Sequence, residues 1–529
     1  MNVINQYLTI KEASVWATNY LGKEVTAANI SYLIQYGRIT KSGHNGSTKI
    51  LKSELERYYN SLNKSKETVW KAKLGQDLNW TLSFDNLKES ETTKHIHRLH
   101  PYKGKFIPQL VEYFLDSHTD KFKIERYFNK GDIVLDPFCG SGTTLVQSNE
   151  LGIHAVGIDV SSFNAFISNC KNTDCDIKKL EEEMEQIAIK LYEKVKNSKV
   201  LDFESALIEK LKQFNDKNFP VPQYKYKLRQ NLIDEDEYGL QKEKLFLPFY
   251  EKLISEYKIK LLKKDPKNFI EKWYFKNIRG EIDFVFNEIK QVKDKDVRKI
   301  LALILSRAMR SCRATTHADL ATLLKPISSI YYCSKHGKIC KPIFSILKWW
   351  RTYSKDTITR LKEYAKLKTN TYQYCLTGDS RTINILDELS KKQIDLAAIL
   401  QKQKISGIFS SPPYIGLIDY HEQHAYAYDL FGFERKDDLE IGPLFKGQTK
   451  EAQKSYIEGI AVVLNNCKQY LKDNYNVFLV ANDKYNLYPE IASKASMKIV
   501  NQFKRPVLNR TEKDKGAYSE IIFHLKEKM

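Results

Sequence analysis

The sequence has no long hydrophobic run. Nowhere in its 529 residues does a stretch approach the roughly 20 consecutive apolar residues that a membrane-spanning helix needs. Residues 1–6 also lack the charged segment followed by an apolar core that marks a secretory signal. These two absences predict a cytoplasmic protein.

Cysteine is scarce and scattered, with 8 residues in the whole chain. A long chain expected in the cytoplasm does not need a disulfide scaffold, and no Cys-x-x-Cys pair is present. One dense cluster is Cys333-Ser-Lys-His336-Gly-Lys-Ile-Cys340, with Cys312 and His317 upstream. Two thiolates and an imidazole at this spacing could bind zinc, with one upstream residue as the fourth ligand. Ordinary packing of buried cysteines is the alternative.

Acidic residues are in deficit. The chain has 65 Asp and Glu against 85 Lys and Arg, a formal net charge of +20. Such a positive net charge favours a polyanionic partner. A proteome that is rich in lysine throughout would give a similar net charge without such a partner. The length and the 42% hydrophobic fraction allow about three domains with sizeable cores.

Two common nucleotide-binding signatures are missing from the most prominent glycine-rich turn. Residues 133–135 form an apolar run that predicts a strand. Gly140 and Gly142 follow, and Thr143 opens an apolar-periodic segment that predicts a helix. The turn has neither the G-x-G-x-x-G of a dinucleotide site nor the Gly-Lys-Ser/Thr of a triphosphate site. A second predicted strand ends at Asp159, roughly 20 residues beyond the turn. A carboxylate at this position usually accepts hydrogen bonds from a ribose, so a nucleoside-containing ligand is expected.

The residue sequence of this turn indicates which class of nucleoside-containing ligand to expect. Asp136-Pro137-Phe138-Cys-Gly140-Ser-Gly-Thr-Thr resembles the S-adenosylmethionine turn of amino-methyltransferases that act on nucleic acid. The preceding segment, residues 97–111, contains His-Pro-Tyr-Lys-Gly-Lys-Phe-Ile-Pro and resembles the part of those enzymes that covers the methionine end of the cofactor. Pro108 is expected to begin a helix over residues 109–114.

A second loop carries the catalytic prediction. Ser411-Pro412-Pro413-Tyr414 follows a predicted strand over residues 407–410, so it lies at the sheet edge where open α/β sheets bind ligands. The two prolines stiffen the loop and have no N–H, which leaves rigid carbonyl groups. The Ser411 hydroxyl and the Pro412 carbonyl can accept both hydrogens of an exocyclic amine, which favours a localised lone pair on its nitrogen. Tyr414 offers a face on which a flipped-out base can stack.

These motifs together resemble the DNA amino-methyltransferases, specifically the N4-cytosine type with Ser-Pro-Pro-Tyr, since N6-adenine enzymes usually carry Asp or Asn at the first position. The resemblance covers residues 98–169 and 374–526. It implies that S-adenosylmethionine contacts a defined set of residues, namely Phe106, Pro108, Asp136, Pro137, Phe138, Gly140, Gly142, Thr143, Asp159 at the ribose and Asp379 at the adenine. It also implies that Ser411, Pro412, Pro413 and Tyr414 hold the target base.

The predicted fold is α/β, a Rossmann-like class I methyltransferase sheet with a large, mainly helical insertion and an N-terminal winged helix-turn-helix. The expected boundaries are residues 1–62 for the winged unit, 63–94 for a linker with one strand near Trp80, 95–171 for the cofactor part, 172–370 for a target-recognition insertion and 371–529 for the catalytic part. Lysines interleaved with aromatics in the insertion suit phosphate contact and base stacking.

The N-terminal unit resembles excisionase-like winged helices. Thr9 and Thr26 are expected to cap two helices, followed by strands over residues 38–41 and 48–51 and a last helix. The second helix would enter a DNA groove with Asn29, Ser31 and Gln35 as base contacts. A protein-docking module is the alternative.

Three later segments have weaker signals. Residues 419–429 could line the base pocket or form a helix with a packed aromatic face. Residues 505–513 form a basic loop that could contact DNA phosphate. Residues 498–503 and 519–525 predict a final antiparallel strand pair.

The resulting prediction is a methyltransferase that moves a methyl group from S-adenosylmethionine to cytosine N4 in duplex DNA, and the family resemblance implies a cognate restriction endonuclease as partner. Three alternatives stay open. An N6-adenine DNA enzyme has similar pocket chemistry. An RNA guanine-N2 methyltransferase shares the glycine turn, but normally has Asp-Pro-Pro-Tyr. A non-catalytic DNA-binding regulator would not need the intact Ser-Pro-Pro-Tyr loop.

Overall fold

A computed structural model describes residues 6–22, 24–42, 48–63, 66–102, 104–317, 319, 323–417, 420–508 and 516–528. Within those residues, no helix is both long and apolar enough to cross a membrane. The N-terminal elements are β1 (Tyr7–Thr9), α1 (Ile10–Leu21), α2 (Ala27–Gln35), β2 (Lys49–Leu51) and α3 (Lys52–Asn63). They enclose a small hydrophobic core of their own.

The predicted caps of the first two helices are confirmed. The Thr9 hydroxyl accepts from the backbone N–H of Glu12, and the Glu12 carboxylate accepts from the Thr9 N–H. Thr26 caps α2 in the same way, with Asn29 as its reciprocal partner. The Asn29 side chain, a predicted base contact, is therefore engaged in a cap that satisfies otherwise unpaired N–H groups.

The predicted strand over residues 38–41 is wrong. β2 pairs antiparallel with β1 instead, and only a single bridge joins Ser42 to Lys49. The backbone N–H and the hydroxyl of Thr40 both donate to the Glu54 carboxylate, so this segment is tied to α3 and not to a ladder. The tip of the predicted hairpin, residues 43–47, lies outside the described residues.

The predicted strand near Trp80 is also wrong. Residues Trp80–Ser83 form a 3-10 helix, preceded by α4 (Lys66–Leu74) and followed by α5 (Glu89–Thr92), a second 3-10 turn (His95–Arg98) and α6 (Pro108–Leu115). Leu82 is fully buried, and the Asn79 N–H donates to the Lys504 carbonyl. The segment therefore packs against the sheet as a turn. Pro108 begins α6 as predicted.

The glycine-rich turn has the predicted order of elements. It lies between β3 (Ile133–Asp136) and α7 (Thr143–Glu150), and β4 (His154–Asp159) and α8 (Ser162–Asn172) follow. Gly142 has a φ of 75° at the start of α7, and a Cβ there would lie 2.2 Å from the Ser168 hydroxyl. Only glycine fits this approach of α7 to α8.

Helices dominate residues 177–365. They are α9 (Ile177–Lys196), α10 (Val200–Asn218), α11 (Gln223–Arg229), α12 (Glu235–Glu256), α13 (Phe269–Trp273), α14 (Lys276–Gln291), α15 (Lys295–Ser311) and α16 (Leu347–Ala365), with a hairpin of β5 (Tyr331–Cys333) and β6 (Lys338–Cys340). Leu180, Met184, Ile187 and Leu191 of α9 are buried, as the 3.6-residue period predicts.

The remaining elements alternate strands with helices. They are β7 (Gln373–Thr377), α17 (Ile385–Lys392), α18 (Ile394–Lys402), β8 (Ile405–Ser410), α19 (Tyr420–Gln423), α20 (Ala425–Phe431), α21 (Lys450–Lys468), β9 (Leu471–Ala481), α22 (Tyr488–Lys494), β10 (Met497–Pro506) and β11 (Ser519–Glu527). The predicted final antiparallel pair is confirmed as β10 and β11.

The central sheet has the strand order β10-β11-β9-β8-β3-β4-β7. Its pairs are parallel from β9 to β7, whereas β11 runs antiparallel to both β9 and β10. The predicted α/β class with a mostly parallel sheet is confirmed. Ile133 and Leu135 pack into one core and Val134 into another, so β3 is buried on both faces. The carboxyl ends of β3, β4, β7 and β8 consequently share one edge.

A close contact at Gly407 provides a test of the packing between β8 and β9. A Cβ at Gly407 would lie 2.1 Å from the Asn476 carbonyl oxygen, at an irregularity in the parallel ladder. We expect Gly407→Ala to lower the free energy of unfolding by about 1–3 kcal/mol, because backbone atoms must shift. Chemical denaturation of the whole chain measures the change.

The matched control is Gly280→Ala in α14. Gly280 is exposed, and an added Cβ meets no atom within 4 Å. The free energy of unfolding of this variant is expected to rise by about 0.5–1 kcal/mol, because alanine favours a helix more than glycine does. Equal stability of the two variants would contradict the packing described for β8.

Candidate active site

A cavity opens at the shared carboxyl edge of the sheet. It has about 930 Å³ of empty volume, including its open mouth. The lining comes from the segment before α6, from the ends of β3, β4, β7 and β8, and from the loop after α20. Its residues are Tyr102, Gly104, Lys105, Phe106, Asp136, Pro137, Phe138, Cys139, Gly140, Ser141, Thr143, Asp159, Val160, Ser161, Asn164, Asp379, Ser380, Ser411, Pro413, Leu439, Glu440, Ile441 and Pro443.

Most of the residues predicted for the site meet in this cavity. Those that line it are Phe106, Asp136, Pro137, Phe138, Gly140, Thr143, Asp159, Asp379, Ser411 and Pro413. The other four do not line it. Pro108 is buried as the first residue of α6, Gly142 faces Ser168, Pro412 is buried within its loop, and Tyr414 is bonded elsewhere.

Asp159 holds the glycine turn in place. One of its carboxylate oxygens accepts from the Gly140 N–H at 2.8 Å. The other accepts from the Ser161 N–H at 2.9 Å and from the Asn164 amide at 3.1 Å. Burial raises the pKa of Asp159 to about 6. The carboxyl group at the end of β4 therefore positions the turn and still faces the cavity.

Asp136 connects the glycine turn to the second loop. Its carboxylate accepts from the Ser410 hydroxyl at 2.5 Å and from the Phe138 N–H at 3.2 Å. Burial raises the pKa of Asp136 to about 6, because a charged carboxylate loses its hydration there. The ends of β3 and β8 are thus joined by side chains as well as by their ladder.

The Ser411 hydroxyl has a defined orientation. It donates to the Val480 carbonyl at 3.0 Å, which uses its single hydrogen. Its remaining lone pairs can therefore only accept hydrogen bonds. A group with hydrogens to donate, such as an amine, suits this position on the cavity wall.

Tyr414 is anchored outside the cavity. Its hydroxyl donates to the Glu520 carboxylate at 2.6 Å. The Arg505 guanidinium lies 3.7 Å from the same carboxylate and is 3% exposed. Arg505, the first residue of the predicted basic loop, is therefore buried against Glu520 and does not present its charge at the surface. Residues 509–513 of that loop lie outside the described residues.

Asp379 is paired within its own turn. The Arg381 guanidinium donates to both carboxylate oxygens, at 2.9 and 2.8 Å. Burial would raise the pKa of Asp379, but these hydrogen bonds hold it below its ordinary value. Its neighbour Ser380 donates to the Pro137 carbonyl at 2.7 Å, which ties the end of β7 to the glycine turn.

Several lining residues were not singled out by the sequence. Lys105 donates to the His97 carbonyl at 2.6 Å, and burial lowers its pKa to about 8. Lys105 and Tyr102 belong to the quoted segment before α6, which was a usable signal. Asn164 lies in the first turn of α8, the helix that follows Asp159. Glu440 has no local signal, because only the fold brings its loop to the cavity.

The aromatic segment behind the Ser-Pro-Pro-Tyr loop is packed, which agrees with the second of its two interpretations. His424, Tyr426 and Tyr428 are buried, and Tyr426 and Tyr428 belong to the helical core. None of the three lines the described cavity wall. The first residue of the predicted segment, Asp419, lies outside the described residues.

The predicted metal-binding residues also come together, away from the cavity. Cys333, His336 and Cys340 lie beside His317, with one donor atom of each residue within 4.8 Å of the others. Cys312, the other candidate for the fourth position, is buried at the end of α15 and is not part of this group. Of the two upstream candidates, the fold therefore places His317, and not Cys312, beside the other three residues.

A second cluster of side chains has an explanation without a metal. His95, His97 and Glu150 lie together in the interior. The Glu150 carboxylate is already paired with Lys94 at 2.7 Å and with His95 at 3.0 Å. Burial opposes ionisation of Glu150, but hydrogen bonds from these partners hold its pKa well below the usual range.

Comparisons with known proteins agree with the chemistry of the cavity. A profile of the DNA methylase family matches residues 28–169. The chain is 47% identical over 523 residues to the type II methyltransferase M.MjaII of Methanocaldococcus jannaschii, which is 98% of this chain and 96% of that protein. It is 33% identical over 105 residues to M.MvaI of Kocuria varians, 20% of this chain and 21% of that one.

One solved structure is related only distantly. The rRNA methyltransferase AviRa of Streptomyces viridochromogenes aligns with 84% of this chain and 94% of its own, at 9% identity and a TM-score of 0.27. At that score the likeness carries no argument about fold or function.

The raised pKa of Asp136 predicts a pH-dependent contribution to stability. Its folded-state pKa of about 6 exceeds the ordinary 3.8, so the contribution is present at low pH and is lost as pH rises through about 6. Between about pH 4 and about pH 7, the unfolding free energy of the natural chain should fall relative to that of Asp136→Asn by on the order of 3 kcal/mol. Urea unfolding of both chains at a series of pH values measures this difference. A difference independent of pH would show that the carboxyl group is ionised throughout.

Proposed function

The chain belongs to the DNA amino-methyltransferases of type II restriction–modification systems, and from that premise we propose that it methylates the N4 nitrogen of a cytosine in duplex DNA. A single observation supports transfer to an exocyclic amine: the glycine turn and Ser411 face the same cavity. The fold thereby brings together two segments that are far apart in the sequence: a turn that suits a nucleoside and a hydroxyl that can accept a hydrogen bond from an amine. The choice of cytosine N4 rests on serine at the first position of the Ser-Pro-Pro-Tyr loop.

The family implies S-adenosylmethionine, and the cavity residues suit it. This cofactor supplies a methyl group on a positively charged sulfonium. Among the described lining residues, four are acidic, namely Asp136, Asp159, Asp379 and Glu440, and Lys105 is basic; Asp379 is paired with Arg381, which leaves three acids without an arginine partner in the turn. Such a lining favours a cationic ligand. Phe106 and Phe138 provide apolar surface beside the acids. Asp159 is proposed to hold the ribose and Asp379 the adenine.

The Ser411 loop is proposed to prepare the target amine. The Ser411 hydroxyl gives its hydrogen to Val480, so it can accept one amine hydrogen. The Pro412 carbonyl is proposed to accept the other when DNA is bound, since Pro412 does not line the cavity in this structure. Two such bonds draw the nitrogen lone pair out of the aromatic ring, which makes the amine a better nucleophile. Fixed orientation then supplies much of the rate, and no covalent bond to the enzyme is needed.

Tyr414 receives a revised role. Its hydroxyl bond to Glu520 leaves the ring outside the cavity wall. We therefore propose that Tyr414 anchors the loop that carries Pro413. The stacking role suggested by the motif would require this bond to break when DNA binds.

The other parts of the chain are proposed to bind DNA. The net charge of +20 favours a polyanion. Residues 8–62 are proposed as the winged DNA-binding unit and residues 172–370 as the region that selects the target sequence. A cognate restriction endonuclease is proposed as the functional partner, because enzymes of type II systems protect DNA from such a nuclease.

Cofactor binding tests the role of Asp159. Asp159→Asn removes the charge and one acceptor from the cavity wall, so we expect the Kd for S-adenosylmethionine to rise by about tenfold or more. Isothermal titration of the purified chain measures the Kd. Asp473→Asn, an exposed acid on β9, is the matched control for the charge change. Unchanged affinity in Asp159→Asn would remove Asp159 from the cofactor site.

Product analysis tests the reaction. We expect DNA methylated by the chain to yield N4-methylcytosine after digestion to nucleosides and mass spectrometry. Ser411→Ala should lower kcat by about 100-fold or more while cofactor affinity is retained, because an acceptor needed at the reacting amine is lost. Ser390→Ala, on the exposed face of α17, is the control.

Each alternative has its own product. N6-methyladenine without N4-methylcytosine would replace the cytosine assignment, and methylated guanine from RNA would replace the DNA substrate. Tyr414→Phe separates the two roles of that residue. It removes the bond to Glu520 and keeps the ring, so loss of activity supports anchoring and full activity supports stacking.

A further inference from the structure

One face of the hairpin formed by β5 and β6 packs on the helical core through Tyr332 and Ile339, and the other face carries a small cluster of its own. Each strand has three residues, and the separate cluster around them contains only Tyr331, Cys333 and Cys340, with Ile327 packed against it. A hairpin this short is marginal in water without further support. Two of the three buried residues in this separate cluster are cysteines, which are also metal ligands.

Four donor atoms converge on one face of this hairpin. Cys333 ends β5 and Cys340 ends β6, while His336 lies in the turn between them. His317 approaches from the segment after α15 and is 16 positions before Cys333. A packed cysteine pair would not require two imidazoles from separate segments to point at the same place.

The distances match a tetrahedral metal site. Zinc–sulfur bonds of about 2.3 Å and zinc–nitrogen bonds of about 2.0–2.1 Å place neighbouring sulfur and nitrogen atoms about 3.6 Å apart. The observed separations of Sγ and Nδ1 are 3.6 Å for Cys333 and His336, 3.4 Å for Cys340 and His336, and 3.8 Å for Cys333 and His317. All three fall within a few tenths of an ångström of that value.

We propose that His317, Cys333, His336 and Cys340 bind one structural zinc ion. Two thiolates and two imidazoles are a preferred set for zinc, and four protein ligands leave no open position for a substrate. None of the four lines the cavity, so the ion takes no part in methyl transfer. His317 Nδ1 also lies 2.8 Å from the Tyr331 hydroxyl, and metal binding either replaces this bond or uses the other ring nitrogen.

The ion would stabilise the helical region by joining distant segments. The hairpin is bonded to α10 through Asn215, whose amide pairs with the Ile339 backbone. It is bonded to α12 through the Glu243 carboxylate, which accepts from the Tyr332 N–H. A clip between His317 and the hairpin therefore fixes the segment after α15 against both helices.

Metal analysis of the purified full-length chain tests the proposal. We expect about one zinc per chain by mass spectrometry of the metal content. Cys333→Ser and Cys340→Ser should each weaken zinc binding by roughly tenfold or more and lower the Tm. Cys175→Ser, a partly exposed cysteine outside the cluster, is the control and should retain the zinc.

A second measurement avoids dependence on variants that fold poorly. Replacement of zinc by cobalt in the natural chain should produce the visible absorption of a tetrahedral ion with a thiolate charge-transfer band. Chain purified from zinc-supplied cells without bound metal, or a disulfide between Cys333 and Cys340, would overturn the proposal. Unchanged zinc affinity in both serine variants would place the ion elsewhere and overturn it as well.

Discussion

The hydrogen bond from Ser410 to Asp136 is the contact on which the candidate site depends. It joins the ends of β8 and β3 in a buried setting, where both groups would otherwise lose their hydration without compensation. Because Gly140 follows Asp136 closely and Ser411 follows Ser410, this one bond fixes the spacing between the glycine turn and the Ser-Pro-Pro-Tyr loop. The parallel pairing of Val134 with Gly407 supports the same alignment from within the sheet.

Around this contact, each strand end contributes one restraint to the cavity. Asp159 at the end of β4 accepts from the turn, and Ser380 after β7 donates to it. The turn is thus held from both sides before any ligand binds, which lowers the entropy that binding must remove. The same contacts account for the raised pKa values of Asp136 and Asp159, because each carboxyl group is buried by the elements that it joins.

Local sequence predicted elements well where the deciding contacts are also local. The caps at Thr9 and Thr26 bond to N–H groups three residues away, so their signal is complete within one turn. The predicted strands at residues 38–41 and near Trp80 failed for the opposite reason. Thr40 is bonded to Glu54, and Asn79 to Lys504, so the backbone partners that decide these segments are distant in the chain.

The sequence by itself determined which residues would meet at the cavity, because Asp136, Gly140, Asp159 and Ser411 belong to short contiguous motifs at the ends of predicted strands. It also determined that the sheet would be mostly parallel. Only the tertiary structure decided that His317 and not Cys312 lies with Cys333, His336 and Cys340, that Glu440 reaches the cavity and that Tyr414 turns toward Glu520. The reason is physical: each of these outcomes depends on the packing of segments that are not neighbours in the chain, and no local pattern of residues records such packing.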